Sequence, residues 1–518
     1  MENNGLKNRI RLALVQSLGA DIKDFRSTAE RLLEKIEGAC RQGVDLVLLP
    51  ECAYPAYVVG LDEAGDSLRH VDSFLEKIAG LAKKHAAFIV VGAAIPEGGR
   101  LYNSAVVFDA GGNMLGRADK SNLWHFDRKW FEAGKTSFVF DSPFGKIGVM
   151  VCADGRIPEL ARMLRLAGAR LILDAVNLVA SARVPRELSN QQYRFMLQVR
   201  ALENGVPIAV CDKAGVESGG VTFLGRSFVV SAKGEMTAQC GPAEEETLVH
   251  DVDLPDVRPL FRKPQLYGLL AEETDRLPVT GIINGRYRLK DLEVYTAVAR
   301  FVGAEDYAAQ AAAYIRLSLI MDARFIVLPP VFPNAAKDEI LRICQGALRA
   351  GAAAVLQTGE PGLREACFFT ENKILAVLPE THGGEDHPIQ SVEIFPGCRV
   401  SALFGEEMFV PEIARVAMLQ GCDILVWFDC GRGDFSEKLL QTRASENKMF
   451  AVRSAGSEND CSLIVNPDGA LVCTTYQEGT HYAAGMVYTA LSKSKEVVPG
   501  TNIVNSRIPE FYKELIKR

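Results

Sequence analysis

Short, wholly apolar runs alternate along the chain with stretches whose apolar residues recur every three or four positions. That pattern predicts buried strands interleaved with amphipathic helices. Strands are predicted over Arg11–Ser17 (R-L-A-L-V-Q-S), Asp45–Pro50, Ala87–Ala93, Leu101–Phe108 and Met114–Lys120. Helices are predicted over Phe25–Cys40, with Leu32, Leu33, Ile36 and Cys40 on one face, and over Val71–His85. Some strands are joined by helices and others by a turn such as Asp109-Ala-Gly-Gly-Asn113, which predicts a mixed sheet within an α/β (α+β) chain. Further on, the spacing predicts a helix over Pro158–Leu166, a strand over Arg170–Val176 and a long helix over Glu187–Asn204. The strands Ile208–Cys211, Arg226–Ser231 and Leu248–Leu254 follow, and Arg262–Tyr267 (R-K-P-Q-L-Y) reads as an irregular tail. Arg200 and Glu203 lie three apart on the long helix and read as a structural pair.

The stretch Phe144–Glu159 organises this pattern. The apolar run Ile147, Val149, Met150, Val151 ends at Cys152, and Ile157-Pro158-Glu159 carries the proline and acid of a first helical turn. Cys152 is thereby placed in a strand-to-helix corner, where unpaired N–H groups and the helix dipole favour thiolate. The same position also suits a small apolar side chain closing the strand. Glu51 follows the apolar strand Asp45–Pro50, so desolvation is expected to raise its pKa. Lys120 closes another strand and, taken singly, reads as a solvated lysine.

The second half repeats the first. Phe325–Pro330 (F-I-V-L-P-P) answers Leu46–Glu51 (L-V-L-L-P-E), and Arg399–Arg415 answers Lys146–Arg162, with P-E-x-A-R matching without a gap. Arg443–Asn447 (R-A-S-E-N) answers Arg200–Asn204 (R-A-L-E-N), and Arg507–Tyr512 (R-I-P-E-F-Y) answers Arg262–Tyr267. Two copies of one domain are expected, 1–285 and 286–518. The joining stretch Glu272–Arg288 contains Pro278, Gly281 and Gly285 and no clear periodicity, as a linker would.

Composition narrows the function class. A chain of 518 residues with 48% apolar content, 24% charged content and a net charge of −7 lacks the basic excess that nucleic acid requires. No apolar run approaches membrane-spanning length, so neither nucleic acid nor membrane is an expected partner and the cytoplasm is the expected location. The 12 cysteines are scattered, with no C-x-x-C pair and no cluster at zinc spacing, so reduced thiols and no metal are expected.

Taken together, three segments resemble the carbon–nitrogen hydrolase (nitrilase) superfamily over nearly the whole chain, once per half. Leu49-Pro50-Glu51 is similar to its glutamate motif, Asp119-Lys120 with Leu123-Trp124 to its lysine motif, and Val151–Glu159 (V-C-A-D-G-R-I-P-E) to its nucleophile motif. The resemblance implies tandem four-layer α-β-β-α sandwiches with mixed sheets. It also implies a cysteine-dependent hydrolase of a non-peptide C–N bond, with Cys152 as nucleophile, Glu51 as proton carrier and Lys120 at the oxyanion. No cofactor or metal is implied. Cys52, beside Glu51, is the rival nucleophile but lies outside the matching motif.

Where the family carries a second glutamate after the lysine, this chain has Asp127, one methylene shorter; Glu132 aligns less well. In the second half, Pro330 stands for Glu51, Glu380 for Lys120 and Gly405 for Cys152, so that copy reads as catalytically dead. Family members pair sandwiches face to face, which implies an intramolecular pseudo-dimer here, open to further homo-oligomerisation. Ala153-Asp154 replaces the Trp-Glu that follows the nucleophile in true nitrilases, favouring a small amide or N-carbamoyl substrate over a nitrile. Arg156 is similarly placed to an arginine that holds a substrate carboxylate in carbamoyl-amino-acid hydrolases. Trp124, His125 and Tyr54 are candidate pocket walls. Acyl transfer and nitrile hydrolysis use the same thioester, and a non-catalytic ligand-binding or regulatory protein is the alternative from another class.

Overall fold

Strand β1 (Arg9–Gln16) shows how the layers arise. Leu12 and Leu14 point into one core while Ala13 and Val15 point into another, so both faces of the strand are buried. The computed structural model describes residues 6–60, 64–135, 138–287, 289–301, 306–331, 337–429, 431, 435–456 and 460–517. The chain divides into two units, Met1–Leu260 and Phe261–Arg518.

In the first unit β1 is followed by β2 (Leu46–Leu48), β3 (Phe88–Glu97), β4 (Arg100–Phe108) and β5 (Met114–Asp119). Together with β12 (Glu246–Asp253) they form a six-stranded sheet in the order β12-β1-β2-β3-β4-β5. The central pairs β1/β2 and β2/β3 are parallel and the outer pairs antiparallel. A second sheet has the order β11-β10-β9-β8-β7-β6. Its strands are β6 (Phe138–Phe140), β7 (Lys146–Val151), β8 (Ala169–Ala175), β9 (Ile208–Cys211), β10 (Phe228–Val230) and β11 (Met236–Gln239). Here too the central pairs, β7/β8 and β8/β9, are parallel.

The sheets face one another through Leu12, Leu14, Leu46, Leu48 and Val90 on one side and Ile147, Val149, Leu171 and Leu173 on the other. Helices α1 (Phe25–Cys40) and α2 (Val71–His85) cover the first sheet through Leu32, Ile36, Phe74 and Ile78. Helices α3 (Pro158–Leu166) and α4 (Leu197–Asn204) belong to the second sheet's side, through Ala161, Leu164, Leu197 and Ala201. The result is a four-layer α-β-β-α sandwich with mixed sheets.

The second unit repeats this plan. Its sheets run, in spatial order, His481–Tyr488, Glu293–Arg300, Phe325–Val327, Ala353–Thr358, Glu365–Phe369, Ile374–Pro379, and then Val392–Phe395, Cys398–Phe404, Ile424–Asp429, Phe450–Ala455, Leu463–Val465, Leu471–Thr474. Strand directions correspond pair by pair with those of the first unit.

Three local expectations are corrected. The long helix predicted over Glu187–Asn204 is broken: a single turn at Pro185–Glu187, then a π-helical turn at Gln192–Met196 leading into α4. The stretch read as a linker contains a short helix, Pro278–Ile283, because a proline at its first turn and buried Val279 and Thr280 give it a start and an inward face; Arg288 lies outside the described residues. Cys152 opens a 3₁₀ turn, Cys152–Arg156, and extended Ile157 separates that turn from α3. The segment 261–285, which the repeat assigns to the end of the first copy, packs within the second unit. There Arg262 pairs with Glu412 at 2.9 Å, Lys263 with Asp386 at 2.9 Å, and the Tyr267 hydroxyl meets His382 Nε2 at 2.6 Å.

Gly92 of β3 lies against the segment that carries Glu51. A β-carbon there would come within 2.0 Å of the Pro50 carbonyl oxygen and 2.7 Å of Glu51 Cα. Overpacking of this kind costs about 1–3 kcal/mol. Gly92→Ala is therefore expected to lower the unfolding midpoint, read by circular dichroism; an unchanged midpoint would show that this approach is not tight.

Candidate active site

Three carboxylate and amine groups arrive from separate elements at one buried point. Glu51 follows β2 and is anchored by its own backbone, whose N–H donates to the Val176 carbonyl at 3.4 Å. Lys120 directly follows β5, with its N–H on the Asn103 carbonyl at 2.7 Å. Asp127 sits in the 3₁₀ turn His125–Lys129. All three side chains are fully buried. Lys120 Nζ lies 2.6 Å from Glu51 Oε1 and 2.6 Å from Asp127 Oδ2. Asp127 thus reaches the lysine despite its missing methylene, whereas Glu132 is exposed.

Several residues that the sequence reading passed over complete this cluster. The Asn103 side chain donates to Glu51 Oε1 at 2.6 Å, and the Tyr57 hydroxyl donates to Asp127 Oδ1 at 2.7 Å. Tyr57 is itself fixed by Glu217, whose Oε1 accepts the N–H groups of Tyr57 and Val58 at 2.7 and 2.6 Å while Oε2 takes Lys213 Nζ at 2.9 Å. Glu51 Oε2 is buried and has no hydrogen-bond partner among the described residues. The carboxylate is held by one oxygen and leaves the other open.

Cys152 joins the cluster through Asn177. Its Sγ approaches the Asn177 carbonyl at 3.7 Å, and the Asn177 side chain donates to the Glu51 carbonyl at 2.9 Å. The Cys152 backbone is left-handed, φ 53°, in a 3₁₀ turn rather than at the head of a regular helix. Asp154 stitches this turn to the lysine loop by accepting Ser121 Oγ at 2.9 Å and Asn122 N–H at 2.8 Å. Arg200 ties the turn to α4 by donating to the Gly155 and Arg156 carbonyls, and it pairs with Glu203 at 2.6 Å.

The electrostatics correct one expectation. Burial, reinforced by the Glu51 charge, pushes the Cys152 thiol well above its ordinary range, with Lys120 opposing. The corner does not favour the thiolate, because burial outweighs the pull of Lys120. Burial also raises Glu51, against the pull of Lys120. Burial opposes the charge on Lys120, but Asp127 and Glu51 together hold its pKa well above the usual amine value. The lysine is a fixed cation; the thiol and Glu51 are the groups whose protons can move.

The remaining candidates fall on both sides of this cluster. Arg156 is buried in the turn after Cys152, stacked 5.0 Å from the Trp124 ring and donating to Gln191 Oε1 at 2.7 Å. Tyr54 is a correction: its ring stacks on Phe74 of α2 at 4.2 Å within the helix-side core, so it does not wall a pocket here. Cys52 packs with Ala56, Tyr57, Leu123 and Phe223. His125, also left-handed, sets its ring edge-on to Phe126. Among the described residues, no group of three or more His, Cys, Asp and Glu side chains is arranged to hold a metal, and no helix is long and apolar enough to cross a membrane.

In the second unit the same stitches surround different chemistry. Glu407 takes the part of Asp154, accepting Thr381 Oγ1 at 2.7 Å and the His382 N–H at 2.8 Å. Glu380, one residue past its strand as Lys120 is, binds Arg364 at 2.5 Å. Gly405 opens the turn that Cys152 opens, with φ 49°. A β-carbon on Gly405 would lie 2.6 Å from Arg364 Nη1. An arginine and its paired glutamate fill the volume a nucleophile would need.

Comparison with known proteins bears on the same elements. The model of the family described as carbon–nitrogen hydrolase matches residues 11–262 and again residues 354–491. A protein named nitrilase from Pyrococcus abyssi is 36% identical over 239 residues, covering 45% of this chain and 84% of that one. An omega-amidase of Xenopus tropicalis is 28% identical over 266 residues, covering 48% of this chain and 89% of its own. The crystal structure of an amidase from Nesterenkonia sp. aligns with a TM-score of 0.43 at 27% identity, over 49% of this chain and 94% of that one.

Removing one partner of a buried ion pair costs about 3–5 kcal/mol, because the other charge is left uncompensated. Asp127→Ala strips Lys120 of one of its two carboxylates and Tyr57 of its acceptor. Chemical denaturation is expected to show a loss of that order, with a smaller loss for Asp127→Asn, which keeps an acceptor for the Tyr57 hydroxyl. Equal stability of all three proteins would contradict the buried network.

Proposed function

The chain belongs to the carbon–nitrogen hydrolase family, and from that premise we propose that its first unit hydrolyses the carboxamide or N-carbamoyl group of a small molecule through a thioester on Cys152. The observation that carries the reading is the buried cluster in which Lys120 is fixed between Glu51 and Asp127 while Glu51 Oε2 stays without a partner.

The thiol is neutral at rest, so attack requires a base in place. Glu51 is that base: Cys152 Sγ bonds to the carbonyl carbon as its proton passes to Glu51. Lys120, already charged and held by two carboxylates, faces the negative charge that develops on the carbonyl oxygen, with no reorganisation at the moment of reaction. The C–N bond then breaks, Glu51 returns the proton to the leaving nitrogen, and ammonia or an amine departs. Water opens the thioester, giving a proton to Glu51, which passes it to the departing Cys152 sulfur; an amide yields a carboxylic acid, and a carbamoyl compound yields a carbamic acid that loses carbon dioxide. Asp127 and Tyr57 are positioning residues that keep Lys120 aimed.

The second unit lacks every group this sequence uses, and its Arg364–Glu380 pair occupies the corresponding volume. It is proposed as a catalytically dead copy. Asp154 is committed to holding two loops together, which gives the residue after Ala153 a structural task. An amide rather than a nitrile remains the preferred substrate, and Arg156 beside Trp124 is the candidate for a substrate carboxylate.

Ammonia release from a panel of amides, N-carbamoyl amino acids and nitriles tests the reading. Cys152→Ala is expected to abolish release from every compound the wild type consumes, and the amides or carbamoyl compounds are expected to be faster than the nitriles. Activity surviving in Cys152→Ala, or a preference for nitriles, would overturn it. The pH profile gives a second check. Glu51 must be ionised to act, and its raised pKa means that kcat/KM falls as pH drops through a value above the ordinary 4.5. A plateau extending down through pH 4.5 would exclude Glu51 as the base.

A further inference from the structure

The nucleophile's backbone is in a conformation that its side chain disfavours. Cys152 has φ 53°, a left-handed conformation that an L-residue disfavours, so the surroundings must hold it there. Two side chains do so. Asp174, the last residue but one of β8, accepts the Cys152 N–H on Oδ1 at 2.8 Å. Gln192, first in the π-helical turn, donates from Nε2 to the Cys152 carbonyl at 2.8 Å. Asp174 is fully buried, and its Oδ2 has no hydrogen-bond partner among the described residues. A carboxylate in that situation is costly unless it does something an apolar residue cannot.

The internal duplicate supplies the control. Strand register pairs Met150 with Asp174 in the first unit and Leu403 with Trp427 in the second, so Trp427 stands where Asp174 stands. The Trp427 indole donates to the Gly405 carbonyl at 3.0 Å and offers no acceptor to the Gly405 N–H. Gly405 takes the same left-handed turn with no β-carbon to oppose it. The copy with a side chain at the elbow has the carboxylate; the copy with glycine does not. Gly155 makes room for the arrangement, since a β-carbon there would lie 2.9 Å from Asp174 Oδ2.

We propose that Asp174 is a positioning residue that clamps the nucleophile elbow, holding Cys152 in its left-handed conformation so that Sγ faces Glu51. The inference rests on the assignment of Cys152 as nucleophile, but the clamp itself is a statement about backbone strain and can be tested without any substrate.

The test is a double-mutant cycle in the full chain, with urea unfolding midpoints for wild type, Asp174→Ala, Cys152→Gly and the double variant. Asp174→Ala is expected to lower the midpoint in the wild-type background and by less than half as much in the Cys152→Gly background, where the elbow is no longer strained. Asp174→Asn, which keeps an oxygen for the N–H, is expected to retain most of the wild-type midpoint. Equal losses in both backgrounds would overturn the proposal, as would failure of both Asp174→Ala proteins to fold; folding of the double variant alone is its strongest support. Where a substrate is turned over, Asp174→Ala is expected to lower kcat by about 10-fold with KM changed by less than about 2-fold, and Asp174→Asn to restore most of it. If the wild type releases no ammonia from any compound, the functional reading fails while the cycle still decides the clamp.

Discussion

The ion triplet of Lys120 with Glu51 and Asp127 sets the terms for everything around it. A fully buried ammonium between two fully buried carboxylates has no water to fall back on, so the structure must supply every partner. It supplies all but the one for Glu51 Oε2, in successive layers: Asn103 on Glu51, Tyr57 on Asp127, Glu217 on the Tyr57 backbone, Lys213 on Glu217. Asn103 lies within β4, Tyr57 on the stretch that follows Glu51, and Lys213 and Glu217 four residues apart on a third segment. One buried cation thus goes with the mutual fixing of three loop segments and strand β4.

The two halves of the chain show which parts of this arrangement belong to the fold and which to chemistry. Both keep the carboxylate stitch after the nucleophile strand, Asp154 in one and Glu407 in the other. Both keep an Arg–Glu pair on a later helix, Arg200 with Glu203 on α4 and Arg443 with Glu446 on Ser436–Asn447. These pairs anchor backbone, and the sandwich needs them whether or not a reaction takes place. The centre differs. An ammonium becomes a carboxylate at Glu380, and an arginine, Arg364, enters from the strand position that Asn103 holds in the first unit. A cation between two carboxylates is replaced by one arginine–glutamate pair, joined through two hydrogen bonds from the guanidinium.

Much of this was legible in the sequence, for reasons that differ by element. The sandwich was readable because strands buried on both faces are unbroken apolar runs, as in Leu46–Leu49, and because the helices carry clean faces. Glu51, Lys120 and Cys152 were readable because each closes a strand and matches a motif. Tyr57, Asn103, Asn177, Asp174 and Glu217 were not, because each acts on a group far away in sequence and an isolated polar residue carries no sign of its partner. Tyr54 misled because it lies three residues before Tyr57 in the same aromatic loop: one ring turns to the helix-side core and the other to the lysine. The thiolate expectation failed because the sulfur is buried beside Glu51, and burial outweighs the pull of Lys120.

The central claim is that one chain carries one reactive centre, on Cys152, built from the first unit alone. Intact-protein mass spectrometry during turnover of a consumed amide, followed by peptide mapping of the acylated species, tests it directly. The account predicts a single acyl adduct per chain on the peptide containing Cys152. An adduct on Cys52, on any residue of the second unit, or two adducts per chain would contradict it.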